Sequence, residues 1–129
     1  EELMKLPWPE RLYDHPDSAI EKKENQEEDL FRGMRVRIGI HTGTPLAEPD
    51  PRTGRMDYLG PTVRNTSQVE HASHGGQIVV SEDVMNALQE SSTEVKLHAS
   101  KSMGKFIFGN QEVKELFQIL PKSLEERSI

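Results

Sequence analysis

The chain has 129 residues, the size of one domain or part of one, and only 33% are apolar against 29% charged, so its core must come from a few well-patterned segments. Its formal net charge is −6 and its basic residues are scattered rather than striped, which argues against a nucleic-acid surface. It has no cysteine for a disulfide framework or thiolate zinc site, no membrane-length apolar run and no signal-peptide pattern, so a soluble, intracellular segment is expected.

Residues 1–16, EELMKLPWPERLYDHP, set Leu3, Leu6, Trp8 and Leu12 among prolines. They predict a short helix or turn that packs one aromatic onto something larger. Residues 17–30, DSAIEKKENQEEDL, are almost all charged or amide and read as a solvated loop, a frayed helix or a linker. In MRVRIGIHTG, Val36, Ile38 and Ile40 alternate with Arg35, Arg37 and Gly39, the period of a half-buried strand. The prolines and the Thr-Gly of residues 44–54 predict an extended arm or long hairpin loop ahead of a short strand, RMDYLG.

Gly60-Pro61 ends that strand, and Thr62 is placed to cap a helix over residues 63–73, which His74-Gly75-Gly76 stops. QIVVS reads as a buried strand. Ser81, followed by Glu82 and Asp83, gives a capped, dipole-matched start to a second helix with Val84, Met85 and Leu88 inward. Alternation returns at Val95, Leu97 and Ala99, then Phe106 and Phe108, then Val113, Phe117 and Ile119. It predicts two or three strands with turns at Gly104 and Gly109-Asn110. This order of elements predicts an α+β fold with helices on a sheet.

The stretches FRGMRVRIGIHTGTPLAEPDPRTGRMDYLGPTV, VEHASHGGQIVVSEDV and ELFQILP, in this order, resemble the C-terminal half of the catalytic domain of class III adenylyl and guanylyl cyclases, of the fungal adenylyl cyclase type. LPWPERLY is similar to the segment just before it. The resemblance implies that residues 1–129 are a partial nucleotidyl cyclase domain, with a polar loop at 17–30 and an arm at 44–55. The implied fold is a ferredoxin-like sheet flanked by helices. Two such domains pair, here through the 44–55 arm, and turn ATP into 3′,5′-cyclic AMP and pyrophosphate at their interface. The chain would be cytoplasmic, or held at the cytoplasmic face of a membrane by the rest of its protein. The alternative is a degenerate module that only dimerises or binds nucleotide.

In that family Mg²⁺ or Mn²⁺ activates the ribose 3′-oxygen and neutralises the triphosphate, and hard cations need carboxylate oxygens. The aspartates that supply them would lie upstream of Glu1, so the chain alone is expected to be inactive. Its own acids Asp14, Asp17, Glu27, Glu28 and Asp29 read as a solvated charge run. Asp57, with Tyr58 beside it, matches the substrate-binding step, where a carboxylate accepts from the adenine amine and is mismatched against a guanine carbonyl. The family's asparagine and arginine follow one helical turn apart, yet those positions hold Arg64 and Gln68 here. Glutamine brings no charge to an anionic transition state, a loss that can cost roughly several orders of magnitude in rate. Asn65, about a hundred degrees round the helix, would replace the lost amide only if the helix were rotated. The phosphate-binding lysine position falls near Asn110, with Lys105 and Lys114 close in sequence.

The remaining features are weaker. His71 and His74 read as surface histidines at a helix end, His41 as a structural partner beside Gly43, and the Asn65-Thr66-Ser67 glycosylation pattern as incidental. Loss of the sheet's first strands is expected to leave a strand edge unpaired, with Ile38 and Val79 short of cover.

Overall fold

The computed structural model describes residues 2–23, 29–90, 99–109 and 111–121. The N-terminal segment forms two 3-10 turns, Glu2–Lys5 and Glu10–Asp14. The Trp8 indole N–H donates back to the Leu3 carbonyl at 2.7 Å. The ends of the polar stretch depart from the loop expectation: β1 (Glu21–Lys22) and β2 (Asp29–Phe31) pair antiparallel. Leu30 and Phe31 are buried there with Met4 against them, a satellite cluster that supplies the apolar surface the composition concealed.

The main sheet has four strands in the order β3 (Ile38–Ile40), β6 (Ile78–Ser81), β8 (Val113–Leu120) and β7 (Ala99–Ile107). The β3–β6 pair is parallel and the other two pairs are antiparallel. Between β3 and β6 the chain makes a separate hairpin, β4 (Leu46–Pro49) with β5 (Met56–Leu59), and then helix α1 (Pro61–His71). The arm is therefore strand on both sides, and all eight of those strand residues are exposed. Helix α2 (Glu82–Glu90) follows β6 directly, with Val84, Met85 and Leu88 half-buried on its inner side.

The core lies under α1, where Val69, Val79, Leu116 and Phe108 are all at most 3% exposed. Three expectations change here. Val79 is fully covered, because it sits on the sheet face that α1 packs against, whereas Val36, Ile38 and Ile40 remain 52%, 42% and 42% exposed. In β8 the period of two holds but its phase is reversed: Lys114, Leu116, Gln118 and Leu120 face inward, and Phe117 and Ile119 are half-buried on the other face. Gly104 makes no turn; it has φ +93° and sits at a bulge within β7, where pairing with β8 slips between Ser102 and Gly104. Val95, Leu97 and Asn110, like Glu27 and Glu28, lie outside the described residues.

Gly39 positions the helix. A Cβ there would come within 2.7 Å of Glu70 Cβ and closer still to the Glu70 backbone, so only a glycine lets α1 lie this near β3. The Glu70 carboxylate also pairs with Arg37 on the chain entering β3.

Candidate functional site

Helix α1 starts abruptly. Gly60 is its N-cap with φ +99°, a conformation that favours glycine, and Pro61 supplies the first helical residue without needing a hydrogen-bond donor. Thr62 is not the cap: it lies inside the first turn, and its hydroxyl donates to the Thr44 carbonyl at 3.3 Å. The N-terminus has no side-chain cap and its first turn has no acidic residue, so the positive end of the helix is not neutralised locally.

Two faces of α1 carry the candidate residues. Asn65 and Val69, four apart, face the core and are 7% and 0% exposed. Arg64 and Gln68, also four apart, lie on the next face, Arg64 exposed and Gln68 half-buried. Asn65 and Arg64 thus do not share a face. Instead both faces open on one cleft of about 300 Å³, lined by Pro61, Arg64, Asn65, Gln68 and Gly109.

Within that cleft Gln68 is engaged. Its side-chain carbonyl accepts the Gly109 N–H at 2.9 Å, tying α1 to the β7–β8 connection. Asn65 lines the cleft and has no side-chain hydrogen bond to any described residue, and the Arg64 guanidinium likewise has no ion pair among the described residues.

The other candidates lie apart from this cleft. Asp57 and Tyr58 sit on β5, outside its lining; Tyr58 is 55% exposed, and Asp57 accepts Tyr58's own N–H at 3.0 Å. Lys105 is exposed on β7, and Lys114 is buried, its ammonium donating to Asp83 at 2.8 Å and pairing with Glu112 at 3.3 Å. His71 is exposed and bonds back to the Ser67 carbonyl at 2.7 Å, while His74 is exposed past the helix end. Among the described residues no three of His, Asp or Glu come together to hold a metal ion. The described residues therefore do not fit a metal site.

A buried polar cluster that sequence reasoning missed sits where β3, β6, α2 and β8 meet. His41 Nδ1 shares a 2.8 Å hydrogen bond with the Ser81 hydroxyl and lies 3.6 Å from Asp83, which also receives Lys114. Burial pushes the His41 imidazole below its ordinary value, Asp83 opposing and Lys114 adding to the effect. For Lys114, burial works against the charge, but the hydrogen bonds to Asp83 and Glu112 outweigh it and hold the ammonium above its ordinary value. The sequence offered its members singly, His41 as a structural partner, Ser81 as a cap and Asp83 as a dipole partner, but not as one cluster.

A family model for the adenylate and guanylate cyclase catalytic domain matches residues 17–118. The chain belongs to that family. It is 43% identical over 88 residues to an adenylate cyclase of Podospora anserina, a match covering 67% of this chain and 4% of that protein. It is 36% identical over 118 residues to an adenylate cyclase of Schizosaccharomyces pombe, covering 92% of this chain and 7% of that one. A solved adenylate cyclase of Trypanosoma brucei, in its monomeric state, superposes with a TM-score of 0.66 at 26% identity over 77% of this chain and 42% of that chain. The fold is thus the α+β cyclase fold, and the chain spans a small part of its curated relatives and less than half of the solved cyclase. No helix among the described residues is long and apolar enough to cross a membrane.

Proposed function

We propose that this chain is the C-terminal part of an adenylyl cyclase catalytic domain, and that the completed, paired domain converts ATP to 3′,5′-cyclic AMP and pyrophosphate. In that reaction the ribose 3′-oxygen loses its proton and bonds to the α-phosphorus, and the bond from that phosphorus to the bridging oxygen breaks. What supports the reading is the α1 cleft: a helix with an uncapped positive end presents a guanidinium and two amides to one opening. The β4–β5 hairpin supports pairing. It projects apolar side chains, with Leu46 66% and Met56 51% exposed, and serves as the contact with a second cyclase domain. Asp57, on the same hairpin, favours adenine over guanine. The family's Mg²⁺ or Mn²⁺ is held by groups other than the described residues, and the chain alone makes no cyclic AMP.

One observation favours a second reading, a degenerate module that pairs or binds nucleotide without catalysis. Gln68 is neutral and already engaged with Gly109, so no cation stands at its position. The test is a domain extended upstream to the length of its relatives and paired with a second cyclase domain. Replacing Arg64→Asn together with Gln68→Arg is expected to raise cyclic AMP formation at least about ten-fold. No product from either form would remove the catalytic reading and leave the module.

A further inference from the structure

We infer that Arg64 is the anion-binding residue of the α1 cleft and that it takes the phosphates of a polyphosphate ligand there, from a helix position one turn before the one the family uses. The inference rests on the reading of this cleft as the nucleotide site. Four observations carry it, and all concern what is left uncompensated.

The first is the guanidinium itself. Arg64 lines the cleft, is exposed, and has no ion pair or side-chain hydrogen bond among the described residues, in a chain where Arg35 and Arg37 both have glutamate partners. The second is Asn65. Its residue is 7% exposed, its amide lines the cleft, and no described residue satisfies it. Among the described residues only Arg32 Nε is fully enclosed without a partner, so the Asn65 amide opens on the cleft, where a ligand oxygen can take its N–H. The third is the helix end. Without a side-chain cap or a first-turn acid, the backbone N–H groups of the first turn and the helix dipole favour an anion.

The fourth is elimination. Gln68 is engaged with the Gly109 N–H, Lys114 is held by Asp83 and Glu112, and Lys105 is not in the cleft lining. Of the side chains lining the cleft, Arg64 alone is charged. A guanidinium near a helix N-terminus, with an amide donor in the same cleft, matches the oxygens of a phosphoryl chain, because Arg recognises phosphate through a planar fork of donors. The arrangement exchanges two roles along the helix: the charge comes from the first turn, and the later position becomes a neutral tie to the β7–β8 connection.

The test uses inorganic tripolyphosphate titrated into the 129-residue chain at low salt, read by calorimetry and by backbone amide shifts. The expected result is saturable binding, with shifts confined to the first turn of α1 and to Gly109. Arg64→Ala should weaken it at least ten-fold, Arg64→Lys should retain part of the affinity, and Arg11→Ala should leave it unchanged. Circular dichroism checks that the exposed Arg64 variants keep the fold. Equal affinity for wild type and Arg64→Ala, no binding by wild type, or shifts that map elsewhere would each overturn the inference. ATP in place of tripolyphosphate separates it from the reading beneath it. Arg64-dependent binding to which the adenosine adds nothing sustains the inference and removes the nucleotide reading.

Discussion

Gly39→Ala offers the sharpest check on how the cleft is held in place. Gly39 has no positive φ, so its backbone suits any residue, and replacing a strand glycine by alanine would by itself stabilise by about 0.4–1 kcal/mol through the unfolded chain. The obstacle is entirely α1. A Cβ at 2.7 Å from Glu70 Cβ falls about 1 Å short of ordinary carbon contact, and the helix backbone is nearer still. The helix must therefore retreat from β3, loosening the packing of fully buried Val69 on Val79 and stretching the 2.9 Å bond from Gly109 to Gln68. Overpacking of this kind costs about 1–3 kcal/mol, which outweighs the backbone gain. With a urea m-value on the order of 2 kcal/mol/M, a net loss of about 1.3 kcal/mol lowers the midpoint by about 0.6 M with m unchanged. Urea titration followed by circular dichroism measures it. A midpoint equal to or above that of the wild type would show that α1 is not seated on Gly39 as described.

Two further outcomes are expected. His41 is held below the ordinary imidazole value of 6.5, so the unfolded chain protonates first and stability falls as pH drops below about 6.5 and on through the folded value. The groups facing it are Ser81, Asp83, Lys114 and Glu112. Urea midpoints from about pH 7.5 to 5.5 should fall more steeply for wild type than for His41→Gln, and parallel slopes would count against a buried neutral imidazole. Replacing residues 50–55 of the arm by a two-residue turn should weaken pairing of the completed domain at least about ten-fold in sedimentation experiments, without lowering its unfolding midpoint. Unchanged pairing would place the dimer contact elsewhere.

Much of the scaffold was legible because local chemistry and tertiary role agree. The alternation through Ile38, the Gly60-Pro61 helix start and the acidic opening of α2 are local signals, and each marks an element close to its place. The phase of β8 was hidden because Lys114 and Gln118 point inward while Phe117 and Ile119 do not; a buried lysine is stable there because Asp83, 31 residues upstream, joins its near neighbour Glu112 as a partner. Val79 and Ile38 look alike in sequence, and only the side on which α1 lands tells them apart. At the candidate site, the shared face of Arg64 and Gln68 follows from a spacing of four. The engagement of Gln68 was not legible, since its partner Gly109 lies 41 residues downstream. The side of α1 on which Asn65 falls likewise depends on the sheet beneath it.

The β4–β5 hairpin is an excursion within the connection from β3 to β6, and its strands pair only with each other. Chain-closure entropy grows only logarithmically, about 0.6 kcal/mol for each doubling of a loop, so insertions or deletions at the tip hardly tax the β3–β6 pairing. A Cβ added at Gly54, near that tip, would meet nothing within 4 Å. The fold of the chain therefore leaves the length of the tip open, and it is the pairing with a second domain that would hold it fixed.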